Sequence, residues 1–92
     1  MKPKFRFWDI SEELKTEEDI SLYLQEAFKD GDPKLIKACL KDVLKSRNMT
    51  KLAEETGISR TGLYKMLSEN GNPEFVSILK ILKALNLELT VR

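Results

Sequence analysis

The stretch "MTKLAEETGISRTGLYKMLS", residues 49–68, decides the fold of this sequence. It holds two short apolar patterns with helical spacing, and only four residues, "TGIS", separate them. Gly57 readily takes the left-handed backbone conformation that ends a helix, and Ser59 is a favoured cap for the next helix. The small side chain of Ala53 lets two helix axes approach closely. The segment therefore predicts a pair of short helices fixed at a sharp angle.

The faces of the two predicted helices differ in polarity. Thr50 is expected to cap the first helix, and Ile58 to fill the corner between the two. Leu63, Met66 and Leu67 recur at the spacing of a buried face, so we expect them to hold the second helix against the core. The outer face of the second helix then displays a set of polar side chains: Ser59, Arg60, Thr61, Tyr64 and Lys65.

The remainder of the chain predicts three more helices. At 92 residues and 10.6 kDa, residues 1–92 are long enough for one domain only. Thr16 followed by Asp19 resembles a capping box, and Gly31 is expected to end that helix. Pro33 suits the first turn of a second helix that runs to about Arg47, and Pro73 is expected to begin the last helix. We therefore predict an all-α fold of five helices.

Short strands are predicted at both ends of the chain. The N-terminal arm, residues 1–15, contains "KFRFWDI", in which aromatic residues alternate with other residues as in a strand. The C-terminal segment, residues 87–92, reads "LELTVR", with Leu87, Leu89 and Val91 on one face. The apolar face of such a strand is expected to pack against another part of the protein or a partner.

The net charge of +1 hides an asymmetry along the sequence. Up to Gly31 there are five basic and eight acidic residues, a net charge of −3, whereas the remainder has eleven basic and seven acidic residues, a net charge of +4. This distribution suits a body that approaches a polyanion with its acidic arm turned away. The alternative is that the charged residues simply form the solvated faces of helices.

The composition argues against catalysis. The chain has no histidine, a single cysteine, Cys39, and no glycine-rich phosphate loop. We therefore expect a protein that is not an enzyme, with no catalytic residues, no metal and no cofactor. No apolar run has the length of a membrane span, and the first residues do not have the pattern of a signal peptide, so a cytoplasmic location is expected.

Two family resemblances rest on these residues. A helix-turn-helix of the phage-repressor-like DNA-binding domains has similar residues at similar offsets: Leu52, Ala53, Gly57, Ile58, Leu63 and Met66. More widely, "FWDISEEL", "LAEETGISRTGLYKMLSENGNPEF" and "LNLELTV" resemble the HigA-like prophage type of addiction-module antitoxin, a likeness that covers nearly the whole chain. That resemblance implies a protein that binds its own operator as a dimer and neutralises a RelE-like ribonuclease toxin.

The expected DNA contacts follow from the second helix of residues 49–68. If its N-terminal end enters the major groove, the polar set Ser59, Arg60, Thr61, Tyr64 and Lys65 contacts bases or backbone. The flanking phosphates are expected to meet a second set: Thr50, Lys51, Asn70 and Asn72. Tyr64 has the alternative interpretation of a core aromatic. The whole segment could also be an ordinary helical hairpin.

Two partner surfaces complete the expectations. One recognition helix with little local charge binds weakly, so we expect a homodimer, with Leu79, Leu82 and Leu85 and the strand at 87–92 as its interface. A basic toxin is expected to meet the acidic N-terminal third, although these carboxylates could simply be solvated: Glu12, Glu13, Glu17, Glu18 and Asp19. The preceding aromatic residues Phe5, Phe7 and Trp8 would add buried area to that contact, and the alternative for Trp8 is packing within the protein itself. The alternatives are a prophage-type regulator without a toxin and a protein-interaction module that does not bind DNA.

Overall fold

A computed structural model describes residues 13–90 of the chain. Over that range the chain forms five α-helices, listed here in chain order: α1 (Glu17–Asp30), α2 (Pro33–Lys45), α3 (Met49–Thr56), α4 (Arg60–Met66) and α5 (Phe75–Ala84). The prediction of an all-α fold with five helices is confirmed for this part of the chain.

The ends of α1 follow the local sequence signals. The Asp19 amide donates to Thr16 Oγ1 over 3.0 Å, and the Thr16 amide donates to Asp19 Oδ2 over 3.1 Å, which completes the predicted capping box. Hydrogen bonds to the Asp19 carboxylate, above all the one from the Thr16 amide, hold the pKa of this carboxyl below its usual value. Gly31 ends the helix with a φ of 83°, in the left-handed region.

Helix α2 also begins as predicted. Asp32 caps it by accepting from the Lys34 amide over 3.0 Å, and Pro33 occupies the first turn. The helix ends at Lys45, two residues before the expected end at Arg47. Helices α1 and α2 pack against each other, and Tyr23 of α1 donates its hydroxyl hydrogen to Asp42 Oδ2 of α2 over 2.7 Å. This bond joins the first two helices beside the core.

Every helix contributes to a single hydrophobic core. Helix α3 contacts α2, α4 and α5, so it connects the N-terminal helix pair to the rest of the chain. The largest side chains that are completely buried come from four helices: Ile20, Leu40, Val43, Leu44, Leu63 and Ile81. Leu14 is also buried, so the predicted arm of residues 1–15 does not lie wholly outside the core.

The predicted cap of the first helix in residues 49–68 was wrong. Asn48 caps α3, and its Oδ1 accepts from the Lys51 amide over 3.2 Å. Thr50 lies inside the helix, as its second residue. Both residue types cap helices well, and the chain uses Asn48, so that the buried Met49 is the first residue of the helix. The start of the last helix also differs, because α5 begins at Phe75 rather than at Pro73.

The prediction of terminal strands is not confirmed. Residues 87–90 carry no strand, and residues 91–92 and the N-terminal stretch 4–10 lie outside the described residues. A strand needs a neighbouring strand for its backbone hydrogen bonds, and residues 13–90 consist of helices, turns and loops without a strand. An alternating pattern alone therefore does not form a strand at residues 87–90.

The predicted dimer interface was wrong for two of its three leucines. Leu82 and Leu85 belong to the core, whereas Leu79 is 39 % exposed. The apolar residues that α5 presents to solvent are instead Phe75 and Val76, 65 % and 57 % exposed, together with Leu79. Among residues 13–90 we find no helix with the length and apolar character needed to cross a bilayer.

Candidate nucleic-acid interface

The connection between α3 and α4 is short and internally bonded. Gly57 has a φ of 75°, and its amide donates to the Ala53 carbonyl oxygen over 2.9 Å. The predicted left-handed glycine is therefore confirmed. A side chain at this position would strain the backbone, because L-residues rarely adopt such a φ.

Thr56 supports this connection from the inside, a role that the sequence analysis missed. Its hydroxyl is buried, donates to the Leu52 carbonyl oxygen over 2.8 Å and accepts from the Ile58 amide over 3.2 Å. The hydroxyl thus bonds both to the last turn of α3 and to Ile58, the second residue beyond the helix. The spacing of apolar residues does not indicate this role, because it shows only whether a position is buried and not which hydrogen bonds its side chain makes.

Helix α4 begins at the predicted cap. Ser59 Oγ accepts from the Gly62 amide over 3.0 Å, and Leu63 and Leu67 bury the inner face. A Cβ on Gly62 would lie 3.1 Å from Ser59 Oγ and 3.2 Å from Ile58 Cγ2. The first turn of α4 is therefore packed closely against its own cap and the corner residue, which fixes where its outward side chains point.

The predicted base-contacting residues all belong to this helix and its cap. Ser59, Arg60, Thr61 and Lys65 are exposed. Within residues 13–90, the side chains of Arg60 and Lys65 have no hydrogen-bond or ion-pair partner. Their donors are therefore available to a ligand.

Tyr64 fits both interpretations offered for it. The residue is half-buried, and its ring packs against the core cluster. Packing restricts the ring, so this side chain presents less of its surface to solvent than Arg60 or Lys65 does. A change at Tyr64 would consequently alter the support of α4 as well as its outer surface.

The predicted phosphate contacts occupy two places next to α4. Thr50 and Lys51 are exposed on the first turn of α3, and Lys51 lines a groove between α3 and α5. Asn70 and Asn72 are exposed in the loop after α4. The first pair thus lies at the start of one helix and the second pair just beyond the end of the next.

Lys37 of α2 holds the loop that carries Asn70 and Asn72. Its Nζ donates to the carbonyl oxygen of Gly71 over 2.6 Å and to that of Glu69 over 3.0 Å. Gly71 is itself restricted, because a Cβ there would overlap the main-chain carbonyls at the end of α4. The loop therefore has a defined position relative to α2 and α4.

Sequence reasoning also missed Lys37. The residue is one of four lysines on α2, and its spacing does not distinguish it from the other three: Lys34, Lys41 and Lys45. Its role depends on a contact with a loop more than thirty positions further along the chain. No local sequence signal identifies such a contact.

Comparison with known proteins places the chain among toxin–antitoxin components. Residues 4–92 match a family described as "Probable addiction module antidote protein". The chain belongs to this antidote family. A protein of Haemophilus influenzae that is described only as uncharacterised is 44 % identical over 92 residues, which cover 100 % of this chain and 95 % of that protein. The search of solved structures returned no match.

Membership of the antidote family confirms the coarser part of the functional prediction. An antidote counteracts a toxin, so membership implies a toxin partner and suggests a regulatory protein rather than an enzyme. The HigA-like type, the helix-turn-helix, DNA binding and the homodimer stay predictions. The prediction of DNA binding concerns α3, α4 and the loop that follows them, whereas the prediction of a homodimer concerns α5.

Proposed function

We propose that this antidote protein is a sequence-specific DNA-binding repressor, the antitoxin of a type II toxin–antitoxin module of the HigA-like type. It binds its own operator and neutralises a RelE-like ribonuclease. In this proposal α3 and α4 form a phage-repressor-like helix-turn-helix, and α4 enters the major groove. The observation that carries the proposal is the exposed polar first turn of α4, whose opposite face is fixed in the core by Leu63.

The side chains of α4 differ in what they can recognise. Arg60 has the planar donors that match guanine, a contact that discriminates between bases by about 1–3 kcal/mol. Thr61 and the cap residue Ser59 are short, so they contact bases or backbone only where the helix end approaches closely. Lys65 lies one turn further along and adds a charge that a phosphate would meet. Tyr64 adds a hydroxyl on a partly fixed ring.

The loop after α4 supplies backbone contacts in this proposal. Asn70 and Asn72 would bind phosphates on one side of the recognition helix, and Thr50 on the other. Because the Lys37 ammonium binds the loop through Glu69 and Gly71, these amide side chains start from a defined backbone position. Residues whose backbone is already held in position lose less conformational entropy when the complex forms.

A homodimer follows from the small size of this interface. Helix α4 has only seven residues, so one copy makes few contacts with DNA. Two copies on half-sites about 34 Å apart make twice as many. The exposed apolar residues of α5 are the proposed dimer interface: Phe75, Val76 and Leu79. In sedimentation experiments Phe75→Ser should weaken the dimer, whereas Leu22→Ser, which changes an exposed leucine of α1, should not. A monomeric parent protein at tens of micromolar would count against this part of the proposal.

The toxin is proposed to bind the acidic N-terminal third. Glu13 and Glu18 are exposed, the first just before α1 and the second in its first turn. The Asp19 carboxylate is engaged in the capping box, and Glu17 Oε2 accepts from Asn86 Nδ2. Ribonucleases carry positive surface for RNA, so these carboxylates would steer such a partner. Residues 1–12 lie outside the described chain, but their aromatic residues would add apolar contact area.

The toxin-binding part can be tested without disturbing the core. Deletion of residues 1–12 keeps Leu14 in place and should abolish neutralisation of the product of the adjacent gene, while operator binding persists. The double variant Glu13→Gln, Glu18→Gln should slow association, and Glu26→Gln, Glu88→Gln is its matched control. A truncated protein that still neutralises the toxin would place the toxin site elsewhere.

A gel shift with the DNA upstream of the gene tests the repressor part. A specific shift separates a repressor from a protein-interaction module that kept the fold without DNA binding. The identity of the neighbouring gene separates an antitoxin from a prophage-type regulator without a toxin. Absence of any shift at low salt would contradict the proposal.

A further inference from the structure

A groove of about 720 Å³ lies between α3 and α5. Four cationic side chains line it from three parts of the chain. Arg47 follows α2, Lys51 belongs to the first turn of α3, and Lys80 and Lys83 lie on α5. Nothing in the sequence pattern groups these four residues, since the first and last are 36 positions apart.

The cations of this groove are available to a ligand. Glu17 and Glu55 line the same groove, which leaves it with a formal net charge of +2. Within residues 13–90 neither carboxylate forms an ion pair with any of the four cations. Glu17 Oε2 instead accepts from Asn86 Nδ2 over 3.2 Å. The groove therefore presents positive charge that its own carboxylates do not neutralise by direct contact.

The groove offers polar and apolar surface in similar amounts. Leu52 and Leu85 line it but are only 4 % and 5 % exposed, because they belong to the core. The Thr56 hydroxyl, which also lines it, already makes its bonds within the connection between α3 and α4. The four cations outnumber the two carboxylates, so the groove is suited to an anionic ligand.

The groove begins where the proposed DNA interface ends. Arg47 and Lys51 flank Thr50 in sequence, and Thr50 is a proposed phosphate contact on the first turn of α3. We infer that the groove binds the phosphate backbone of duplex DNA that flanks the half-site read by α4. Arg47, Lys51, Lys80 and Lys83 are its contacts. This inference rests on the proposed function and adds a second, sequence-independent surface to it.

A salt titration of DNA binding tests the groove. The double variant Lys80→Gln, Lys83→Gln replaces two ammonium groups by uncharged amides in each protomer. The control Lys29→Gln, Lys34→Gln removes two charges in the same way from exposed lysines of α1 and α2. Fluorescence anisotropy with the operator duplex and a random duplex is measured between about 50 and 200 mM salt. The magnitude of the slope of log K against log salt should fall by about 1.8 for each bound protomer, or about 3.6 for a dimer on two half-sites, from roughly 0.9 for each phosphate contact. The ratio of operator to random affinity should stay as in the parent protein.

The outcomes separate the groove from the proposed function. Specific operator binding with the same salt slope in the parent, groove and control proteins would overturn the inference and leave the proposed function standing. Sequence-independent binding that the groove variant weakens would support the groove and contradict recognition by α4. Loss of toxin binding with an unchanged salt slope would assign the groove to an acidic protein segment and overturn the inference. No DNA binding by the parent protein would overturn both.

Discussion

Replacing Lys37 by methionine should loosen the loop after α4. Methionine keeps an unbranched side chain of similar length but has no ammonium, so the carbonyl oxygens of Glu69 and Gly71 lose their donor. A hydrogen bond to a charged group contributes about 1.5–3 kcal/mol, but the bond to Glu69 is exposed and adds little. We therefore expect Lys37→Met to lower the free energy of unfolding by about 1.5 kcal/mol.

Thermal unfolding and amide hydrogen exchange measure this loss. For a domain of this size, about 1.5 kcal/mol corresponds to a fall in Tm of roughly 6–12 °C. The Gly71 amide, which donates to the Ser68 carbonyl oxygen over 2.9 Å, should exchange faster in the variant. Lys34→Met, which changes an exposed lysine on the first turn of α2, is the control. Equal Tm values and equal Gly71 exchange in the two variants would refute the role given to Lys37.

Three further changes test other contacts. Tyr23→Phe should lower the free energy of unfolding, measured in urea, by about 1–2 kcal/mol, because it removes the bond to the half-buried Asp42 carboxylate. A loss of less than a few tenths of a kcal/mol would contradict this prediction. Gly71→Ala should cost about 1–3 kcal/mol, since its Cβ would overlap main-chain carbonyls of α4, and an unchanged Tm would show that the loop adapts freely. Asp19→Ala should destabilise the protein at neutral pH. The folded-state pKa of Asp19 lies below its ordinary 3.8, so the stabilisation is present above that pH and is lost as the pH falls through the lower value. The difference between the parent protein and Asp19→Ala in unfolding free energy should therefore shrink in acid, and a difference that persists undiminished would contradict the capping argument.

The helix ends that sequence predicted well are those fixed by local chemistry. The helix-end residues in this group act through main-chain groups within a few residues of themselves: Thr16 with Asp19, Gly31 and Ser59. The sequence motif and the hydrogen bonds that it predicts therefore lie in the same short segment. The cap of α3 shows the limit of this reasoning. Asn48 and Thr50 are both good caps, and the choice between them depends on the burial of Met49, which tertiary packing decides.

Features that depend on distant contacts escaped prediction. Apolar residues of α5 occur on more than one face, so the pattern did not reveal that Leu82 and Leu85 would enter the core while Phe75 and Val76 would stay exposed. Lys37 resembles its lysine neighbours until the loop at residues 69–71 is brought to it. In each case the deciding information is a contact between elements rather than a local spacing.

Recognition of the operator by α4 is tested most directly at Arg60. Arg60→Ala changes an exposed side chain that does not contribute to the core, so the circular dichroism spectrum should be unchanged. Anisotropy titrations with operator and random duplexes should show operator affinity falling by about 5- to 150-fold for each half-site, the equivalent of about 1–3 kcal/mol, with most of the discrimination lost. Lys29→Ala on α1 is the control and should bind as the parent protein does. A folded Arg60→Ala variant that keeps both the operator affinity and the discrimination of the parent protein would contradict the account.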